Sequence, residues 1–166
     1  MPLNPEALSA DGYIVDQRKT DNIPFGRFSS DRNGCGWIAC YNLLKALGQE
    51  PDPEELVERL GRTLLAGGVL GLNFFVLVCA LKRQHLPLDF ALRPFHAQML
   101  AERATAGVVL YFNGRCNHYA AFRREKDGTL RFFGAVPGRQ VHKLSMGEFY
   151  WNYVKFPLAI TITTKL

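Results

Sequence analysis

The chain changes its hydrophobic period partway along. From Gly34 to Leu47 the apolar positions Ile38, Tyr41, Leu43, Leu44 and Leu47 follow helical spacing, and Gly48 stands where a left-handed residue ends a helix. The segment PDPEELVERLG opens with Asp52 and Pro53 as N-cap and first helical residue, carries Glu54 and Glu55 in its first turn and stops at Gly61, so it predicts a short surface helix. After Gly67-Gly68, LNFFVLVCALKRQ reads as a third helix with Lys82 and Arg83 in its last turn, and PFHAQMLAERA as a fourth opened by Pro94. Beyond residue 105 the period shortens. GVVLYFN, HYAAFRRE and TLRFFGAV alternate like strands, the last two joined by a hairpin signal at Asp127-Gly128. SMGE at Ser145 to Glu148 fits a capping box for a last helix, and LAITITT alternates as a closing strand.

Helices first and antiparallel strands second predict an α+β fold, with N-terminal helices packed on a C-terminal antiparallel sheet. A dinucleotide-binding unit needs alternating strands and helices with a glycine-rich first turn, and neither occurs. Residues 1–30 are rich in Pro, Gly, Asp, Asn and Ser, with GYIV as one strand-like piece, which predicts an irregular N-terminal arm laid over a single domain at 31–166. Truncation before Asp21 would test whether that arm blocks a groove.

Composition narrows the function. The 166 residues are 48% hydrophobic and 21% charged, a globular composition with enough chain for one core. The net charge of +5 is scattered through short clusters such as Lys82-Arg83 and Arg123-Arg124, which argues for solvated faces and against a nucleic-acid partner. The longest apolar stretch, Phe74 to Leu81, falls short of the roughly 18 residues of a membrane span. No basic-then-apolar leader opens the chain, so a cytoplasmic location is expected. Cys35, Cys40, Cys79 and Cys116 lack CxxC spacing, and three of them sit in apolar or helical contexts that suit buried thiols, so no metal site, disulfide framework or cofactor is expected.

Two strings carry chemistry. In NGCGWIACYNLL, Cys35 falls at the first turn of a helix, where free N–H groups and the helix dipole favour a thiolate. Gly34 and Gly36 beside it would leave room for a substrate carbonyl, Trp37 would wall a groove or anchor the core, and Cys40, one and a half turns on, would face the core. In FNGRCNHYAAF, His118 opens a strand with Ala120 on its own face and Tyr119 on the other, placed to accept a proton from a thiol. Asn117 would position His118 or cap the strand. Cys116 would share the face of His118 as a groove residue, a resolving thiol or a bystander. His85, His96 and His142 have no matching context.

NGCGW followed by a helix, an acidic-start second helix and NHY 83 residues after the cysteine (118 − 35) resembles the papain-like cysteine peptidases of the bacteriocin-leader, or double-glycine, processing type and their stand-alone relatives, over roughly residues 30 to 165. The resemblance implies a bacterial cysteine peptidase acting on a peptide or protein, with Cys35 as nucleophile and His118 as general base in a thiolate–imidazolium pair. It also implies an Asp or Asn that orients the histidine, where this chain has Gly134, and an oxyanion Gln about six residues before the cysteine, where it has Ser29. Asn33 or Gln17 could replace that donor if the fold brings them there. Three functions follow from these residues: a peptide or amide hydrolase using a Cys35–His118 dyad, a catalytically impaired peptide-binding relative, or an acyltransferase using the same dyad.

Overall fold

The computed structural model describes residues 2–69 and 71–164. A six-stranded antiparallel sheet forms the centre in the order β3-β8-β4-β5-β6-β7. Its inner strands are β4 (Ala106–Phe112), β5 (Asn117–Arg124), β6 (Leu130–Val136) and β8 (Phe156–Thr164), the four runs whose alternation predicts them. Its edges are β3 (Leu88–Ala91) and β7 (Arg139–Lys143), which no sequence pattern announces. A separate two-residue hairpin, β1 (Pro24–Phe25) with β2 (Phe28–Ser29), precedes the helices.

Alternation sends the two faces of the sheet into two cores. On one face Val108, Tyr119, Ala121 and Phe133 pack with α2 (Cys35–Ala46), α3 (Pro53–Gly61) and α4 (Phe74–Lys82). On the other, Val109, Tyr111, Ala120, Phe122 and Phe132 meet Ala101 of α5 (Pro94–Arg103) and Met146 and Phe149 of α6 (Met146–Tyr153). The expected α+β class holds. The sheet, however, is covered on both faces, because both alternating faces are apolar and each needs a helix over it. Local chemistry sets the helix starts as the sequence predicts: Asp52 accepts from the Glu54 amide at 2.8 Å and Ser145 from the Glu148 amide at 3.1 Å.

The N-terminal arm is irregular and packs deep into the domain. Ala7, Tyr13, Ile14, Val15, Ile23 and Phe25 are buried in the first core, and Asn42 of α2 pairs with both the N–H and C=O of Ile14 at 2.8 Å. GYIV forms only an isolated bridge, Leu8 to Ile14, and single 3₁₀ turns occupy Pro5–Ala7 and Gln17–Lys19. A buried Asn bonded twice to the arm's backbone makes residues 2–30 part of the fold, so an arm that simply lifts away is not what the packing provides.

Candidate functional site

A short helix, α1 (Ser30–Asn33), leads through Gly34 directly into Cys35, the first residue of α2. Three contacts fix that junction. The Trp37 indole donates to Ser30 Oγ at 3.0 Å, the Gln17 amide donates to the carbonyls of Ser30 and Asp31 at 2.9 and 3.0 Å, and Tyr119 of β5 donates at 3.0 Å to the carbonyl of Leu72, whose side chain packs on Gly36. A Cβ at Gly34 would stand 2.7 Å from the Trp37 indole nitrogen, and one at Gly36 2.7 Å from the Leu72 side chain. These glycines therefore serve close packing of α2.

Cys35 and His118 line one open cavity of about 770 Å³ at the end of the sheet where β4 turns into β5 and β6 leaves its register. Of the residues singled out in the sequence, Gln17, Asn33, Cys116 and Asn117 line it as well. Gly34, Gly36 and Trp37 do not. All three are buried, Trp37 completely, so Trp37 is the core anchor that was one of its two expected roles, while the groove role expected for Gly34 and Gly36 gives way to close packing. Asn117 is exposed and makes no side-chain hydrogen bond among the described residues, so nothing ties it to His118. Cys116 sits in the turn before β5, held by Asn113 Oδ1, which accepts from its amide at 3.0 Å. The expectation of three buried thiols also fails: Cys40 is buried, but Cys79 and Cys116 are exposed because they lie on an outer helix face and in a turn. Among the described residues no cluster of three metal-ligating side chains occurs.

His118 is held from two sides. Its ring meets Tyr111, its cross-strand partner, edge to face at 5.7 Å between centroids, and its Nε2 lies 2.7 Å from the carbonyl oxygen of Gly134. A carbonyl only accepts, so Nε2 carries the proton and Nδ1 is the free base. The residue expected to orient nothing thus orients the histidine through its backbone. The pairing of β6 with β5 ends at Ala121–Phe133, and Gly134 follows with φ +77°, a conformation that frees its carbonyl from the ladder. A glycine inside the strand-like run FFGAV is the sequence signal that could have flagged this bulge.

Electrostatics set the resting charges. Burial pushes the Cys35 thiol above its ordinary value, against weaker stabilisation of the thiolate by the backbone N–H groups of Tyr119, Gly36 and Cys35 itself. Burial also lowers His118, opposed by the Gly134 carbonyl. Both shifts favour a neutral thiol and a neutral imidazole in the same cavity, where the resemblance implies an ion pair. The sequence named two oxyanion donors, and the structure separates them. Both protons of the Gln17 amide are spent on carbonyls, whereas the Asn33 Nδ2 is buried without a partner. Leaving such a donor unsatisfied costs about 1–3 kcal/mol.

Among solved structures, the fold is similar to the peptidase domain of Streptococcus ComA, a bifunctional ABC transporter involved in a quorum-sensing pathway. The TM-score is 0.57 at 13% identity, over 81% of this chain and 92% of that one. No protein-family model matches the chain, and no curated protein matches it by sequence. The chain therefore has the fold of a papain-like peptidase domain, in agreement with the expected class. Among the described residues, no helix is long and apolar enough to cross a membrane.

Proposed function

We propose that the protein is a cysteine hydrolase that cleaves a peptide or amide bond through Cys35 and His118. The observation that carries this reading is the 2.7 Å contact from His118 Nε2 to the Gly134 carbonyl, which leaves Nδ1 as the base and supplies the orientation that a side chain at position 134 does not. The peptide substrate is read from the kinship of fold with a peptidase domain.

Starting from a neutral pair, the Cys35 S–H proton passes to His118 Nδ1 as sulfur bonds to the scissile carbonyl carbon. Negative charge on the carbonyl oxygen is met by N–H groups at the start of α2 and, on turning from its buried position toward the cavity that Asn33 lines, by the Asn33 Nδ2, which has no competing partner. The imidazolium returns its proton to the leaving nitrogen as the C–N bond breaks, giving a thioester on Cys35 and a free amine. Water then gives a proton to Nδ1 and attacks the thioester, releasing a carboxylic acid and the thiol. Acyl transfer to an amine, thiol or alcohol follows the same course as far as the thioester. The impaired-relative reading rests on Gly134 and Ser29, which stand where the resemblance implies an orienting residue and an oxyanion donor, and the Gly134 carbonyl at His118 weighs against the first of these grounds.

The test is digestion of a mixed peptide pool with mass-spectrometric detection of new termini. Wild type is expected to cleave, and Cys35→Ala and His118→Ala are not. Cleavage that persists in Cys35→Ala overturns the proposal.

A further inference from the structure

The cavity around Cys35 has an uneven charge at its rim. Arg32 on α1 and Arg115 in the β4–β5 turn both line it, one three residues before the cysteine and the other three residues before the histidine. Both are exposed, and neither forms an ion pair among the described residues. Arg32 rests over the Phe28 ring at 5.3 Å, which directs it without neutralising it. A third cation, Lys155, lies against Gly114 in the same turn as Arg115. The third lining arginine, Arg18, is already held by Asp16 at 2.7 Å. The cavity's one lining carboxylate, Asp31, accepts from Ser29.

Unpaired cations that line a reaction cavity raise the local concentration of anionic ligands, and guanidinium groups bind carboxylates directly. We propose that this site selects acyl donors bearing a carboxylate close to the scissile bond, recognised by Arg32 and Arg115. The proposal rests on the hydrolase reading for its substrate, but the rim charge itself can be read without turnover. Iodoacetate and iodoacetamide alkylate a thiol by the same step, in which sulfur displaces iodide and the thiol proton goes to solvent, and they differ in one carboxylate.

The experiment measures both rates at Cys35 by peptide-mapped mass spectrometry at low salt, in wild type and in Arg32→Ala/Arg115→Ala. The iodoacetate-to-iodoacetamide ratio at Cys35 is expected to fall about fivefold in the double variant and to converge on that value for both proteins in about 0.5 M salt. The ratio at Cys79, exposed on α4 outside the cavity lining, is expected to stay unchanged. Arg32→Glu/Arg115→Glu extends the fall if the effect is charge. A Cys35 ratio that is the same in all proteins overturns the proposal. Repeating the comparison in His118→Ala separates the two claims, since the rim ratio persists there even if the dyad does no chemistry. With a peptide substrate in hand, Glu beside the scissile bond is expected to be preferred over Gln about fivefold in wild type and equally used by the double variant.

Discussion

Cys35 and Cys40 stand five residues apart on α2, and their surroundings differ in almost everything that decides thiol chemistry. Cys35 occupies the first turn, with backbone N–H groups around its sulfur, the His118 strand beside it and an open cavity in front. Cys40 is sealed in the core between the sheet and the other helices, where burial pushes its thiol up to about 12. Burial raises both thiols, so neither is a ready thiolate. The contrast teaches that Cys35 owes its proposed reactivity to a base across the cavity rather than to a depressed pKa of its own.

The sharpest way to break this comparison is to remove the sulfur. Cys35→Ala is expected to lower peptide turnover by at least about a thousandfold, while Cys40→Ala leaves it intact. Next comes His118→Ala, with a loss of about a thousandfold in kcat/KM and disappearance of the acid limb of its pH profile. The sign follows from burial: His118 titrates below its ordinary 6.5 and works as a base only when neutral, so the wild-type limb falls below pH 6.5 and activity rises with pH through it. Asn33→Ala is expected to cost about a hundredfold in kcat with KM little changed, because its amide would act only on the developing oxyanion; Gln17→Ala should lack this signature.

Gly134→Ala gives a smaller effect. Nothing lies within 4 Å of the added Cβ, so the cost is the strained φ of about 1 kcal/mol, with the carbonyl pulled off His118 and kcat/KM lowered about tenfold. The smallest change is Cys40→Ala, which is expected to lower unfolding free energy in urea by about 1 kcal/mol without moving the pH profile.

How far these features could be read in advance depended on whether side chains carry them. The inner strands and α2 to α6 follow from period and caps, and Cys35 and His118 from two short strings. The edge strands β3 and β7 escaped because each buries a single residue, Ala91 and Val141, and a strand that buries one side chain shows no alternation. The depth of the arm's packing was hidden for the opposite reason: its Pro, Gly and Asp content signals turns, yet Tyr13, Ile14 and Phe25 between them enter the core. Gly134 was misread because an inference from residue types assigns roles to side chains, and here the acting group is a carbonyl.

The central claim is that His118, not an acidic thiol, makes Cys35 reactive. The most direct measurement is the rate of Cys35 acetylation by p-nitrophenyl acetate from pH 4 to 10, mapped by mass spectrometry in wild type and His118→Ala. The account predicts a wild-type rate that rises below pH 6.5 and holds a plateau up to the thiol's own titration, and a variant that reacts only as that thiol ionises. Superimposable profiles for the two proteins would contradict it.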